Sequence, residues 1–312
     1  MQGALDLSAK IPQISMESSL SPFDIVQQLA QADFFDPQHK ITPTTIYHIA
    51  SSCVASAFVF SQYRGALERI AQWAPHHPDI SSLKSGHAFA TLGISQLSTS
   101  HQHQAPTLRA EQIQNGWKLQ GFSPWVTGAH HAQHFILGAH NTDAEHLLFW
   151  VPKEKVQIDV PWHLTALNEC DTAKVSIDAV VPTESLLHRT TTGNSTQTGS
   201  LRSAAMALGI VAQSLSIIAQ QAQKRPALLQ SQKNLQQKLQ TYEQRLCHTT
   251  DRIGYRFAVN QLALSSAQQA LVATKGKGFL HSENASTLCQ QALFFLVWSC
   301  PEAVQYQHLG IG

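Results

Sequence analysis

Imidazole both ligates metals and moves protons near neutral pH, and this chain carries 17 histidines. They gather at His101-Gln102-His103 and at His130-His131-Ala132-Gln133-His134. His130 and His134 would share a face only on a helix, and their surroundings read as a β-turn. No H-E-x-x-H lies nearby and carboxylates are sparse, so both clusters read as solvated turn histidines and no metal site is assigned. The five cysteines, Cys53, Cys170, Cys247, Cys289 and Cys300, are odd in number, scattered, and without a C-x-x-C. That pattern suits reduced thiols in a cytosolic protein, not a disulfide framework or a zinc ribbon. There is no P-loop, no G-x-G-x-x-G, no G-x-S-x-G and no paired-carboxylate motif.

The charge balance narrows the partners. Lys+Arg number 21 and Asp+Glu 20, and charged residues are 13% of the chain, about half the usual ~25%. So few cations argue against nucleic acid, whose affinity comes from Lys/Arg meeting phosphates, and against polybasic membrane docking. The longest apolar run, Ala292 to Trp298, falls short of the ~20 residues of a membrane span. The first residues show no basic start followed by an apolar stretch, so no secretory signal is visible. A cytoplasmic protein without a membrane segment is expected.

Three zones must position whatever chemistry there is. Residues 1–90 read as helical. Ser21-Pro22-Phe23-Asp24 is a helix start, followed by Ile25, Val26, Leu29 and Ala30 at helical spacing. Thr42-Pro43 repeats the signal, and one long apolar helix is expected from there through Ile46, Cys53 and Phe58 towards Leu67 and Ile70. Residues 91–190 change period. AFATLGIS, TLRAEQI, GWKLQGF, HFILGAH, HLLFWVP and KVSIDAVV are short β-rich runs between breakers, and Asn115-Gly116 marks a tight hairpin. They predict an antiparallel barrel or sandwich. After TTTGNSTQTGS (190–200), a stretch with loop composition, residues 191–312 predict helices over 201–224, 228–274 and 282–299. The fold class is α+β: a helical domain, a β-domain and an antiparallel helix bundle.

Four strings, in the right order, resemble the acyl-CoA dehydrogenase family of flavoproteins. GWKLQGFSPWVTGAHHAQHFILGA (116–139) is similar to the family's "G-x-K-x-W-I-T-N" hairpin and outgoing strand. TAKVSIDAVVPTESLL (172–187) is similar to its strand ending "V-P-x-E-x-L-L". SLRSAAMALGIVAQSLSIIAQQAQKR (200–225) resembles the first helix of its C-terminal bundle, and DISSLKSGHAFATLGIS (79–95) the approach to its flavin loop. The resemblance covers residues 20 to 300 and implies a helical domain, a β-domain and a four-helix bundle, with the last bundle helix beyond the end of this chain.

FAD is the cofactor the resemblance implies. Ser95 stands where the family has the Thr of its flavin loop, and Trp125 and Thr127 fall on its Trp and Thr, the ring-packing indole and the hydroxyl that can bond the N5 edge. Judged by residue type alone, Trp125 is a core indole and Thr127 a strand-end hydroxyl. The family's "T-E-P-G-A-G-S-D" is here SQLSTSHQ (95–102), without either glycine and with His101 at the serine position. "R-x-x-F-G" is replaced by KRPALLQSQ (224–232), and "L-x-G-G-x-G" by LFFLVWSCP (293–301). Weak or absent FAD binding is therefore expected. Neither place where the family puts its catalytic glutamate holds a carboxylate. Glu302 is the nearest and reads as a helix-cap residue, so no catalytic residue is assigned. The function implied is an acyl-CoA dehydrogenase-like oxidoreductase acting on CH–CH groups of an acyl thioester. The alternatives are a degenerate member, a flavin-dependent monooxygenase of the same fold, or a non-catalytic partner subunit. A three-helix bundle would leave an apolar groove, and the all-apolar 292–298 segment calls for burial on every side, so a homo-oligomer is expected.

Overall fold

The computed structural model describes residues 10–12, 14–15, 20–99, 107–143, 145–190, 201–280 and 283–311. The first helix, α1 (Pro22–Gln31), begins where its cap signal lies. Ser21 Oγ accepts from the Asp24 amide at 3.2 Å, and Asp24 Oδ2 accepts from the Ser21 amide at 3.0 Å, closing a capping box. The long helix expected after Thr42 is two helices, α2 (Pro43–Ser52) and α3 (Val54–Trp73). Cys53 breaks it with an extended backbone, and its Sγ lies 3.5 Å from the Ser56 amide as the cap of α3. Small polar side chains at the junction offer the backbone other partners: Ser51 Oγ donates to the Tyr47 carbonyl at 2.8 Å. A short helix, α4 (Ile80–Lys84), leads to the sheet.

Eight strands follow among the described residues: β1 (Ala90–Gly93), β2 (Leu108–Ile113), β3 (Gly116–Val126), β4 (His134–His140), β5 (His146–Pro152), β6 (Gln157–Ile158), β7 (Ala173–Val181) and β8 (Leu186–Thr190). Their order is β6-β7-β3-β2-β4-β5-β8, with β1 joined to β4. The expected antiparallel pairing holds for β2–β3, β3–β7, β4–β5, β5–β8 and β6–β7. The sheet is nonetheless mixed. β1 and β4 run parallel, and β2 meets β4 in parallel at Arg109↔His140. The Asn115-Gly116 hairpin sets Ile113 opposite Gly116. Gly116 has φ +147°, and a Cβ there would stand 2.2 Å from the Val181 carbonyl oxygen, so the close approach of β7 requires glycine. Between β1 and β2 lies the one-turn helix α5 (Gln96–Thr99).

The C-terminal part holds α6 (Leu201–Lys224), α7 (Leu229–Arg245), α8 (Arg252–Thr274), α9 (Ala285–Phe294) and α10 (Glu302–Leu309). The expected single helix over 228–274 is thus a pair. Asp251 starts the second by accepting from the Gly254 amide at 2.8 Å. With that correction α7, α8 and α9 all pack on α6, and the α6 stripe Ala204–Val211, where the groove was expected, is covered within the chain. α6 is also long and apolar enough to cross a membrane, contrary to the run-length reading; 61% of its most apolar window is buried in the fold. Its contact with α2 is close: a Cβ on Gly209 would lie 2.4 Å from Ala50 Cβ. The last expected helix ends early, at Phe294, and Ser299 takes a left-handed φ of +47°. Of the apolar segment 292–298, Ala292 and Phe295 are buried, while Leu293 and Val297 are 57% and 71% exposed.

Candidate functional site

Of the three residues assigned to a cofactor, the fold brings two together. Trp125 and Thr127 stand at the end of β3. Trp125 is half exposed, and its neighbour Trp162 lies 5.6 Å away between ring centroids. Trp162 is fixed by its indole N–H, which donates to the Pro124 carbonyl at 3.0 Å. Thr127 is 5% exposed. Its Oγ1 lies 3.3 Å from Thr172 Oγ1, and its carbonyl accepts from Thr91 Oγ1 at 2.7 Å. Thr127 is therefore neither a free strand-end hydroxyl nor an apolar core residue, and Trp125 is not core.

Ser95 is partly buried and stands elsewhere. Thr91 is bonded across to Thr127, while a Cβ on Gly93 would stand 3.0 Å from Ser123 Oγ. Ser95 stands two residues beyond the end of β1, in the turn that leads into α5. α5 after Ser95 is locked by Gln96, which donates to the carbonyls of Gly93 at 2.9 Å and Gly138 at 2.6 Å and accepts from Ser123 Oγ at 2.9 Å. Leu97 fills the space beside Gly138, where a Cβ would meet its methyl at 2.7 Å. The rest of the glycine-free segment, including His101, lies outside the described residues.

The turn after Thr127 is braced from two sides. Tyr63 of α3 donates to the Gly128 carbonyl at 2.9 Å. The Gly128 and Ala129 amides donate to the carbonyls of Cys170 and Asp171 at 2.9 and 3.2 Å. Asp171 itself, at φ +49°, takes the His130 amide at 2.7 Å and the His130 ring at 2.8 Å. Sequence reasoning missed Asp171, Thr172, Trp162 and Tyr63. Asn168-Glu169-Cys170-Asp171 offered a turn signal, but nothing local showed which turn it would meet.

The clustered histidines go three ways. His130 pairs with Asp171. His131 stacks on Phe23 at 3.7 Å. His134 stacks on Trp150 at 4.7 Å and reaches Asp79 at 3.2 Å. Burial pushes the His134 pKa down, against a smaller upward pull from Asp79. The solvated-turn reading is corrected for His134, which is only 19% exposed. Among the described residues no three His, Cys, Asp or Glu gather in a way that could hold a metal. All five cysteines are unpaired. Glu302 opens α10, exposed, and accepts from the Tyr306 hydroxyl.

No family model matches the chain. Over 144 residues it is 27% identical to an acyl-[acyl-carrier-protein] dehydrogenase MbtN from Mycobacterium sp. (strain MCS), a stretch that is 44% of this chain and 35% of that relative. The butyryl-CoA dehydrogenase of Megasphaera elsdenii superposes with a TM-score of 0.83 at 13% identity, over 98% of this chain and 97% of that one. A glutaryl-CoA dehydrogenase from Mycobacterium smegmatis, in complex with FADH2, gives 0.70 at 15% identity, over 99% and 95%. In fold, and in the sequence it shares with that curated relative, the chain is similar to the acyl-CoA dehydrogenase family.

Proposed function

We propose that this chain is an acyl-CoA dehydrogenase-like flavoprotein oxidoreductase that holds FAD chiefly by its ring. The observation that carries the reading is the pairing of a half-exposed indole, Trp125, with a positioned hydroxyl, Thr127, on a turn braced by Tyr63 and Asp171. The residues fit the group at the ring end. Trp125 offers a flat apolar surface, Thr127 a hydroxyl that Thr172 orients, and Ser95 a hydroxyl in the turn after β1. FAD, when bound, supplies a two-electron acceptor. The chain's own share is to orient the reacting ligand against that surface and to exclude water from it.

A proton must also leave an acyl substrate as it is oxidised, and that needs a carboxylate base within hydrogen-bond reach. Near the turn, Asp171 is engaged by His130 through both oxygens and Glu169 is exposed; Glu302, on α10, is engaged by Tyr306. This favours a second reading, a flavin-dependent monooxygenase or a non-catalytic partner subunit, neither of which requires that base. The test is reconstitution with FAD, read by the flavin bands, then an electron-acceptor assay across short, medium and long acyl thioesters. FAD bound without dehydrogenation fits the second reading, and no FAD bound under any condition removes the flavoprotein reading.

The same reading includes a small-molecule substrate of the acyl thioester class, a cytoplasmic location, and no nucleic-acid partner. It divides the chain into domains at 1–90, 91–190 and 191–312. It includes a homo-oligomer, supported by the exposed apolar side chains of the C-terminal helices and their connections, Val272, Phe279, Leu280, Leu293 and Val297.

A further inference from the structure

The helix α10 touches the fold through very little. Of its residues only Val304 is buried; His308, one turn on and on the same face, is half-buried, and the other six are exposed. α10 packs on α8. There the His308 ring lies 4.8 Å from that of Phe257 between centroids. Its Nε2 is 3.2 Å from Asn260 Nδ2, and its Nδ1 is 3.4 Å from Gln261 Nε2. Half of the inner face of this helix is therefore a titratable side chain, and amide nitrogens meet both ring nitrogens.

Asn260 is pinned. Its Nδ2 also donates to the Phe295 carbonyl at 3.3 Å, an oxygen that Arg256 Nη2 reaches at 2.8 Å. Turning the amide over would set Oδ1 against that oxygen. Asn260 therefore offers His308 a donor, and Nε2 must accept. A neutral imidazole with its proton on Nδ1 can do so. An imidazolium cannot, because both its nitrogens carry hydrogen. The nearest charge opposes it as well. Arg256 of α8 is 4% exposed, and no carboxylate acts on it among the described residues. Burial pulls its pKa down to about 10, so it stays a cation from neutral to mildly acid pH. From the connection between α9 and α10, the ionisable group near Arg256 is Cys300, a thiol that burial keeps protonated against a smaller pull from Arg256. On α10 itself, Glu302 is exposed and taken by Tyr306. No carboxylate thus favours a charged His308; burial, and then Arg256, push its pKa down.

We propose that α10 is a pH-released strap, docked on α8 while His308 is neutral and let go when His308 takes up a proton. Protonation removes the Asn260 hydrogen bond, sets two donors face to face and adds a second positive charge beside Arg256. Val304 is then the buried contact that remains. On a released helix the ring is hydrated and its pKa returns towards the ordinary value near 6.5. The docked ring binds fewer protons than the free one. Docking is therefore complete above about pH 6.5 and weakens as pH falls below it. Release bares Val304 and the stretch of α8 that carries Phe257 and Asn260. It also reaches the end of α9, because the amide that meets His308 is the one that holds the Phe295 carbonyl. The strap does not depend on the flavoprotein reading.

The experiment is hydrogen exchange read by mass spectrometry on the full chain at pH 7.5 and 5.5, corrected for the intrinsic effect of pH on amide exchange. Protection of α10 should fall severalfold at pH 5.5, up to the roughly tenfold that a free imidazole near 6.5 allows, while that of α8 holds. His308→Gln keeps an acceptor for Asn260 but cannot titrate, so α10 should be equally protected at both pH values. Gln261→Glu places a carboxylate near Nδ1 from an exposed position and should keep α10 docked at pH 5.5. Equal protection of wild-type α10 at both pH values would overturn the proposal, as would a fall that spreads equally over α8. An unchanged fall in both variants would do the same. Should His308→Gln leave α10 unprotected at either pH, Gln261→Glu decides alone: α10 held at pH 5.5 supports the strap, and α10 lost as in the wild type overturns it.

Discussion

At the scale of single residues, the site depends on side chains whose neighbours change what their type implies. Thr127 is a hydroxyl in a 5% exposed setting, partnered by Thr172. Thr127→Val keeps the shape and removes the donor, so it should weaken FAD binding or shift the flavin bands, read by titration at fixed protein concentration. An unchanged spectrum and affinity would take Thr127 out of the site. The ring contacts carry most of the expected binding, since each lost charge-assisted hydrogen bond to a phosphate removes roughly 1.5–3 kcal/mol. His134 gives a pH prediction. Its pKa is pushed below the ordinary value near 6.5, by burial first, with Asp79 and Glu154 pulling up and His77 down. A histidine with a depressed folded pKa binds fewer protons folded than unfolded. Its contribution is complete above about pH 6.5 and is lost as pH falls from there towards the folded value. His134→Gln should therefore flatten the loss of stability between neutral and acid pH. Urea midpoints at pH 7.5 and 5.5 measure it, and an equal drop in both proteins would exclude His134 as the source.

At the scale of elements, the sequence was legible where one signal was local and complete. The Ser21 capping box, the Asn115-Gly116 hairpin and the strand runs all stand where their residues put them. It misled where periodicity ran through a break. Cys53 and the Leu246–Asp251 turn interrupt apolar stripes that continue in phase, so period alone merged α2 with α3 and α7 with α8. The parallel pairing of β1 with β4, and the meeting of the Thr127 turn with Asp171, are long-range events that no local string encodes. That turn yields a stability prediction. Gly128 has φ +67°, and a Cβ there would sit 2.4 Å from the Tyr63 hydroxyl. Gly128→Ala meets both left-handed strain and a fixed, buried neighbour, and should cost about 2 kcal/mol or more. Denaturant unfolding checks it. Tyr63→Phe combined with Gly128→Ala should recover little, because the ring itself approaches to 2.8 Å.

At the scale of the whole molecule, the question is what covers the apolar surface that folding leaves in water. The groove anticipated from three bundle helices is closed inside the chain, because α7 and α8 are separate and both pack on α6. The remaining apolar surface belongs to other elements. Leu293 on α9 is 57% exposed and Val297, one turn later, 71%. Val272 near the end of α8 is 76% exposed, and Phe279 and Leu280 just beyond it are 72% and 53%. Scattered apolar residues on a surface need no explanation, but contiguous apolar patches beyond a few hundred Å² are rare on soluble monomers. Phe294, next to Leu293, packs its ring T-shaped on Phe58 of α3 at 5.5 Å, which anchors this stretch while Leu293 and Val297 stay exposed. Burial at about 25 cal/mol per Å² then favours self-association over exposure. Light scattering at micromolar concentration should give a mass above the 34.3 kDa of one chain. Leu293→Glu combined with Val297→Glu should return a folded monomer, because a charge in an apolar contact opposes association while costing little on a surface already open to water. A wild type that runs as a clean monomer, or a double variant with the wild-type mass, would place the subunit contact elsewhere or nowhere.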